Sequence, residues 1–493
     1  METKFVNTLQ DKRQLLYILL LFLLLKTTTA QNQFGIVGGN YAGLQALKIN
    51  PANICYQPVS LDINALSVYG NINNNHYYST PTFLLSYDSI KPVVANRKFD
   101  EKSIIPASFI IRNDIQSTGY VFGSLNILGP SMLMAISTKK SFAITSGFRS
   151  HVSGTNLSGS TALALFEGPT YSQLQNTQLQ MQDTKVAFAS WYEIGGSYAQ
   201  VIKDNMQYVH RFGGSLKLLL GTTGGYIYDK GFNAYNETGH DLQMNNSSFS
   251  YAYAGPENTS KISNSQLMSI RGMGASFDLG YSVQRKEKNR NRRNICPNLF
   301  GYTDVSCEYK WKFGISLLDI GAIKYYNNSF ATDITGGNSD WKNWDAVLKY
   351  NPRQIDSVFR SRITGDIKAS ESFWLLMPGA FSAQFDYKFT EGFYVNTIIV
   401  QRITPSFTPS LARMNSISIT PRFEKENVEI SMPFILNEYK NPNIGLAFRL
   451  KYFMIGSDRF GETFGLKTMY GADLYAALRY SISERCKKVR RVF

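Results

Sequence analysis

The feature that most constrains this chain is an apolar run that is too short. Leu15 to Leu25 reads LLYILLLFLLL, and no second stretch of the sequence is comparably apolar. Eleven residues rise about 16 Å as a helix, well short of the roughly 30 Å hydrocarbon core of a bilayer. Lys4, Lys12 and Arg13 precede the run, and Lys26 and Thr27-Thr28-Thr29-Ala30 follow it. A basic start, a short apolar core and small residues at Thr28 and Ala30 are the layout of a secretory signal, with cleavage expected after Ala30. Residues 1–30 are therefore expected to be a signal peptide. An exported chain without a spanning helix can enter a membrane only as a closed barrel of strands, in which every backbone group is paired.

Beyond Gln31 the sequence has the period of strands. In GASFDLGYSV, Ala275, Phe277, Leu279, Tyr281 and Val283 share one face; Ser276, Asp278, Gly280 and Ser282 share the other. In SAQFDYKFT, Ala383, Phe385, Tyr387 and Phe389 alternate with Gln384, Asp386, Lys388 and Thr390. The same rhythm returns at 444–452 and 474–482, and in Leu216, Leu218 and Leu220. Alternation alone fits any half-buried antiparallel sheet. The polar face here holds full charges and small residues, as a wet lumen would. Aromatics crowd the segment ends at Tyr77-Tyr78, Tyr226 with Tyr228, Tyr325-Tyr326, Trp341 with Trp344, and Phe393-Tyr394, which suits the aromatic girdles of a membrane barrel. Only 18% of residues are charged and 14% are aromatic, which excludes a disordered chain.

The expected fold is therefore all-β, a transmembrane antiparallel β-barrel of about 14 strands, at roughly 30 residues per strand and loop. Asn71 to Asn75, Asn233 to Ser248 and Gly336 to Asp345 have loop compositions. No linker marks a second domain. Residues 31–58 are expected to form an N-terminal hatch and residues 59–493 the barrel. In the hatch, Gly38, Gly39, Ala42, Gly43 and Ala46 permit close backbone packing. Pro51 stops helix continuation, while Asn50 and Asn53 can bond irregular backbone. The plainer alternative is an ordinary turn leading into the first strand.

GNYAGLQALKINPANI (Gly39 to Ile54), with its Asn50-Pro51-Ala52, resembles the N-terminal hatch of the long-chain fatty-acid transporter superfamily. LNILGPS (125–131), WYEIGGSYAQVI (191–202), FGGSLKLLLG (212–221), GASFDLGY (274–281) and FGISLLDIGAIKYY (313–326) resemble, in order, the blocks of an uncharacterised family of outer-membrane barrels from Bacteroidota. The resemblance implies an outer-membrane barrel with a hatch at Gly39, Gly43, Asn50, Pro51, Ala52 and Asn53. It implies no substrate. Passive uptake or binding of a small hydrophobic molecule through a plugged lumen is the expected function. A structural barrel partnering a surface secretion or assembly machine is the alternative.

The charges are arranged unevenly. The formal balance is +15, and Arg285, Lys286, Lys288, Arg290, Arg292 and Arg293 crowd one stretch. No nucleic-acid module accompanies them. Solvated loop charge is the commonest origin of such a run; the membrane alternative sets Arg285, Arg290, Arg292 and Arg293 against lipid phosphates, including those of lipopolysaccharide. Lys217, Asp278 and Asp319 lie in strand-like blocks and are expected to form a lumen charge network, since unpaired charge in a dry interior is costly. Cys296 and Cys307 bracket a short loop and form a candidate disulfide, with free thiols as the alternative. No metal-site spacing, hydrolase elbow or nucleotide loop is present, so no enzyme, cofactor or metal is expected. Protein partners and oligomeric state stay open.

Overall fold

The computed structural model describes residues 33–490 apart from 56, 80–109, 113–118, 138, 167–170, 172–173, 182, 239, 257–265, 267, 288–291, 299–300, 305–308, 404, 406–407 and 484–486. The expected signal peptide lies outside the described residues. No described helix is long and apolar enough to cross a membrane.

Fourteen antiparallel strands close on themselves. They are β1 (Val59–Asn74), β2 (Gly119–Leu128 and Ser131–Ser137), β3 (Lys140–Leu157), β4 (Lys185–Asp204), β5 (Tyr208–Asp229), β6 (Gly272–Lys286) and β7 (Tyr309–Tyr325), then β8 (Phe373–Leu376 and Ala380–Thr390), β9 (Phe393–Arg402) and β10 (Ser416–Glu424). The remaining strands are β11 (Val428–Ser431 and Phe434–Asn437), β12 (Asn441–Ile444 and Leu446–Leu450), β13 (Phe453–Ser457) and β14 (Gly471–Ser483). Each pairs with its chain neighbour. β14 pairs with β1, Val68 facing Ala476 and Asn71 facing Asp473, so the ring has no open edge.

The polarity of this ring is inverted relative to a soluble protein. In β6, Ser276, Asp278, Gly280, Ser282 and Gln284 are buried while Phe277 and Leu279 are exposed. In β8, Ser382, Gln384 and Asp386 are buried between exposed Phe381 and Phe385. Arg422 and Arg449 are among the largest fully buried side chains, yet Leu216, Ile419, Phe448, Leu450 and Leu478 face outward. Water would not tolerate that outer wall; a hydrocarbon belt would.

The two ends differ. Connections 138–139, 205–207, 391–392, 425–427 and 451–452 are tight turns at one end, joined there by 287–308. Most connections at the other end are long: 75–118, 158–184, 230–271, 326–372, 403–415 and 458–470. β1 begins and β14 ends at the short-turn end, where Val59 faces Ser483.

Several stretches of loop composition are strands. Asn71 and Asn73 belong to β1 and are buried. Thr177–Gln180, Asn233–Asn236, Leu242–Ala254, Ser329–Trp341 and Thr364–Ser370 form an antiparallel platform continuing from β5. Its core joins Leu179, Met244, Phe249 and Ile334 to Phe359 of helix Pro352–Arg362. Trp341 and Trp344 belong to this platform, and of the tyrosine pairs Tyr226 and Tyr325 pack inward while Tyr326 is exposed. At the short-turn end, Arg292–Asn298 pairs with Gly301–Asp304 and with Lys487–Arg490. Cys296 stands opposite Thr303 in that small sheet; Cys307 lies outside the described residues.

Candidate functional site

The barrel interior is occupied from both ends. From the short-turn side, residues 33–55 run inside the ring as helix Phe34–Val37 and two 3-10 turns, Gly43–Lys48 and Pro51–Ile54. Irregular backbone can sit in such a place only if its polar groups find partners on the wall. They do, all the way round. Asp458 Oδ2 accepts from Phe34 N at 3.0 Å. Ser431 Oγ donates to Gly35 O. Glu424 accepts from Asn40 N at 2.7 Å, Asn40 Nδ2 at 3.1 Å and Tyr41 N at 3.1 Å. Arg479 donates to Tyr41 O and Ala42 O, and the Arg449 guanidinium stacks on Tyr41 at 4.9 Å. Asp62 accepts from Leu44 N at 2.9 Å; Gly43 there has φ 59°, a left-handed conformation that suits glycine.

Asn50 turns the segment into its last leg. Its carbonyl oxygen caps the next turn by accepting from Ala52 N at 2.9 Å, and Pro51 follows as the first helical residue. Its amide donates to Gln384 Oε1 at 2.9 Å and to the carbonyls of Tyr281 and Ile315. The wall beneath is made of glycine. A Cβ on Gly213 would lie 2.7 Å from Pro51 O and Ala52 N, one on Gly314 would lie 2.8 Å from Asn50 Nδ2, and one on Gly280 would strike Asn50 Oδ1. Asn50, Pro51 and Ala52 therefore dock on a glycine stripe across β5, β6 and β7. Gly39 lies against Glu429, and Asn53 N donates to Asn50 O at 3.0 Å.

Above this segment lies a ring of buried charge. Lys217 Nζ stands 2.7 Å from Asp278 and 2.8 Å from Asp319. Asp319 also receives Arg149 at 2.9 Å and Arg413 at 2.5 Å, and Arg149 reaches Glu193 at 3.2 Å. Three cations meet three carboxylates, so the cluster is neutral. The pairing of β6 with β7 shifts register between Phe277 and Leu279, and Asp319 has φ 52°. The bulge turns Asp319 into the lumen beside Asp278, whose carboxylate accepts from Asp319 N at 2.7 Å. Lys217, Asp278 and Asp319 thus come together; Arg149, Glu193 and Arg413 are partners that sequence reasoning missed.

From the long-loop side, residues 408–415 fold back into the lumen as a strap. Leu411 N donates to Leu376 O at 3.0 Å. Ala412 N donates to Ser153 Oγ at 3.0 Å, and His151 Nε2 meets Ala412 O at 2.8 Å. Arg413 enters the charge ring. The Leu411 side chain is fully buried in an apolar cluster with Trp191, Leu219, Ile323, Tyr325, Phe373 and Met377. Tyr325 stacks on Phe373 at 5.1 Å, and Tyr226 meets Phe373 edge-on at 5.6 Å. Beside the strap, about 310 Å³ of atom-free space remains, bordered by Tyr69, Arg149, His151, Trp191, Pro378 and Arg413. The sequence PSLARMNS has no periodic signal; only its run of apolar and basic residues in a loop hinted at burial.

At the start of the N-terminal segment, Asp458 follows β13 and faces Phe34. Burial, and then the neighbouring Asp473 charge, push its carboxyl up to about 8. Tyr475 OH donates to it at 3.2 Å. Arg285 closes β6 at the short-turn end, opposite the long loops. Arg290 lies outside the described residues, and Arg292 and Arg293 belong to the small sheet with Lys487–Arg490. Among the described residues, no group of His, Cys, Asp and Glu is placed to hold a metal ion.

A model of a family of unknown function, DUF5723, matches residues 51–458, from the Pro51 turn to Asp458. No curated protein matches the chain. Among solved structures, the chain is similar to a Pseudomonas aeruginosa FadL homologue at TM-score 0.41 and 9% identity, over 92% of this chain and 98% of that one. The Pseudomonas putida toluene transporter TodX gives TM-score 0.39 and 10% identity, over 92% and 98%. The Ralstonia pickettii toluene transporter TbuX gives TM-score 0.38 and 9% identity, over 93% and 99%.

Proposed function

This chain belongs to the family of unknown function DUF5723, and from its doubly occupied lumen we propose that it is an outer-membrane barrel that binds and passively admits a small hydrophobic molecule when its internal segments move. The observation that carries the reading is Leu411. An aliphatic side chain on a loop occupies an aromatic-lined site inside a membrane barrel, where the protein itself stands in for an apolar guest. At its tip the strap bonds Leu376, Ser153, His151 and Asp319, and its return leg bonds Asn73 through Met414 and Glu438 through Asn415. Movement of the strap would expose Trp191, Tyr325 and Phe373 to a guest of matching chemistry.

The N-terminal segment is the second closure. It belongs to no sheet; polar side-chain contacts, the glycine stripe and the apolar packing of Phe34, Ile36, Ile49 and Ile54 on the wall hold it. Segments of this kind can shift between two positions if a guest favours one of them. No energy source is required, because the cargo moves down its gradient.

Covalently tethering the strap tests this. Ala412→Cys with Ser153→Cys joins two positions already in contact. Uptake of 1-N-phenylnaphthylamine by cells carrying the oxidised double variant is expected to fall to that of cells without the protein. A reductant should restore it. Equal uptake through the tethered and the reduced barrel overturns the reading.

A further inference from the structure

A second cavity lies under the N-terminal segment, at the short-turn end of the lumen, and its chemistry is opposite to that of the Leu411 site. It encloses about 370 Å³ of atom-free space, including its mouth. On one side it is bordered by Gly38, Asn40, Asn53 and Gln57 of the segment, and on the other by Arg211, Gln284, Tyr309 and Lys312 of the wall. Two cations line it and, among the described residues, no carboxylate does.

Of the acids nearby, Glu429 lies against Gly39 and is held by Arg449 Nε at 2.9 Å, and Asp386 and Glu424 are engaged as well. Asp386 binds Arg422 through both oxygens, at 3.0 and 2.8 Å, and accepts from Tyr309 OH. That leaves Lys312 a long contact of 3.8 Å to Asp386. Glu424 is taken by Asn40, Tyr41 and Arg422 Nε. Arg211, held through Cys55 O at 3.1 Å, adds its charge to the same space. Gln284 is only 2% exposed, and its Nε2 has no hydrogen-bond partner. Asn53 Oδ1 and Gln57 Oε1 are equally unmatched. A buried amide without a partner is costly, and a cluster of them around one space implies an occupant.

We propose that this cavity binds a compact oxyanion, with Lys312 and Arg211 meeting its charge and Gln284 donating to it. A phosphate fits better than a carboxylate, because a protonated phosphate oxygen can also donate to Asn53 and Gln57, whereas a carboxylate only accepts. Bound there, the ion bridges the N-terminal segment to β5, β6 and β7 and fastens the segment in place. The inference stands apart from the identity of any cargo.

Titration calorimetry on the purified full-length barrel, with inorganic phosphate and separately with acetate, tests it. Saturable binding of either anion is expected, phosphate the tighter. Lys312→Gln should weaken it at least tenfold, and Gln284→Leu, which leaves both charges, should weaken it by a smaller factor. Phosphate should also raise the temperature at which the intact barrel unfolds on a denaturing gel, and should do so less in Lys312→Gln. No saturable binding of either anion, or binding unchanged in a folded Lys312→Gln barrel, overturns the proposal.

Discussion

At the residue scale, two carboxylates define how this interior responds to its surroundings. Asp458 anchors the start of the N-terminal segment through Phe34 N. Burial, and then Asp473, raise its carboxyl from an ordinary 3.8 to about 8. The folded protein therefore holds that proton more tightly than the unfolded chain does. The contribution to stability is complete below pH 3.8 and is lost as the pH rises through 8. Asp458→Asn keeps an acceptor for Phe34 but cannot ionise. The variant should show a flatter dependence of unfolding temperature on pH between 4 and 8, measured by heat-modified mobility on gels. Asp319 is the second. It receives Arg149, Lys217 and Arg413 together. Asp319→Ala leaves those cations with only Asp278 and Glu193 to share, and removing one partner from a buried ion cluster costs about 3–5 kcal/mol. Urea unfolding should report a loss of that size. Asp319→Ala combined with Arg413→Met should recover part of it.

At the element scale, the strands were legible and their contents only partly so. The alternation in GASFDLGYSV predicted both the strand and the direction of each face, because a two-residue period survives wherever one side meets lipid and the other a polar lumen. Residues 233–248 read as loop because Asn and Gly are poor strand formers in isolation; paired within the platform, 233–236 and 242–248 are strand all the same. Tyr226 and Tyr325 read as girdle residues because an aromatic near a strand end has no intrinsic direction, and only the third dimension shows Gly221 and Gly224 making room for Tyr325. The charge cluster was half visible: Lys217, Asp278 and Asp319 stood at inward positions, whereas Arg413 came from a loop of no periodicity. The glycines of FGGSL, DLGYS and FGISL were visible as letters, but not as the floor for Asn50 and Pro51. That floor makes a sharp prediction. Gly280→Ala puts a methyl group on Asn50 Oδ1 and should destabilise by about 1–3 kcal/mol, as overpacking does. Gly196, with nothing within 4 Å of an added Cβ, supplies the control. Gly196→Ala should unfold at the temperature of the natural protein, and only Gly280→Ala should make residues 33–55 accessible to limited proteolysis.

At the scale of the whole molecule, the orientation follows from the asymmetry of the ends. An even number of strands brings the start of β1 and the end of β14 to the same rim, the one with the short turns. Outer-membrane barrels place short turns in the periplasm and long loops outside. In that orientation the platform strands, their helix Pro352–Arg362 and the strap 408–415 would rise on the outer side, while the N-terminal segment and the proposed oxyanion cavity would face the periplasm. A guest would meet the strap and the Leu411 site first, and the segment on its glycine stripe last. Two exposed positions distinguish the two orientations. Met206, in the turn 205–207, is 98% exposed. Lys342, in the platform, keeps a largely exposed side chain at contacts of 3.5 Å to Glu237 and 3.6 Å to Asp241. Lys342→Cys should react with a membrane-impermeant maleimide on intact cells. Met206→Cys should react only after the outer membrane has been permeabilised. The opposite pattern would invert the barrel, bring Arg285 to the outer face beside lipopolysaccharide phosphates, and make the N-terminal segment the outer closure.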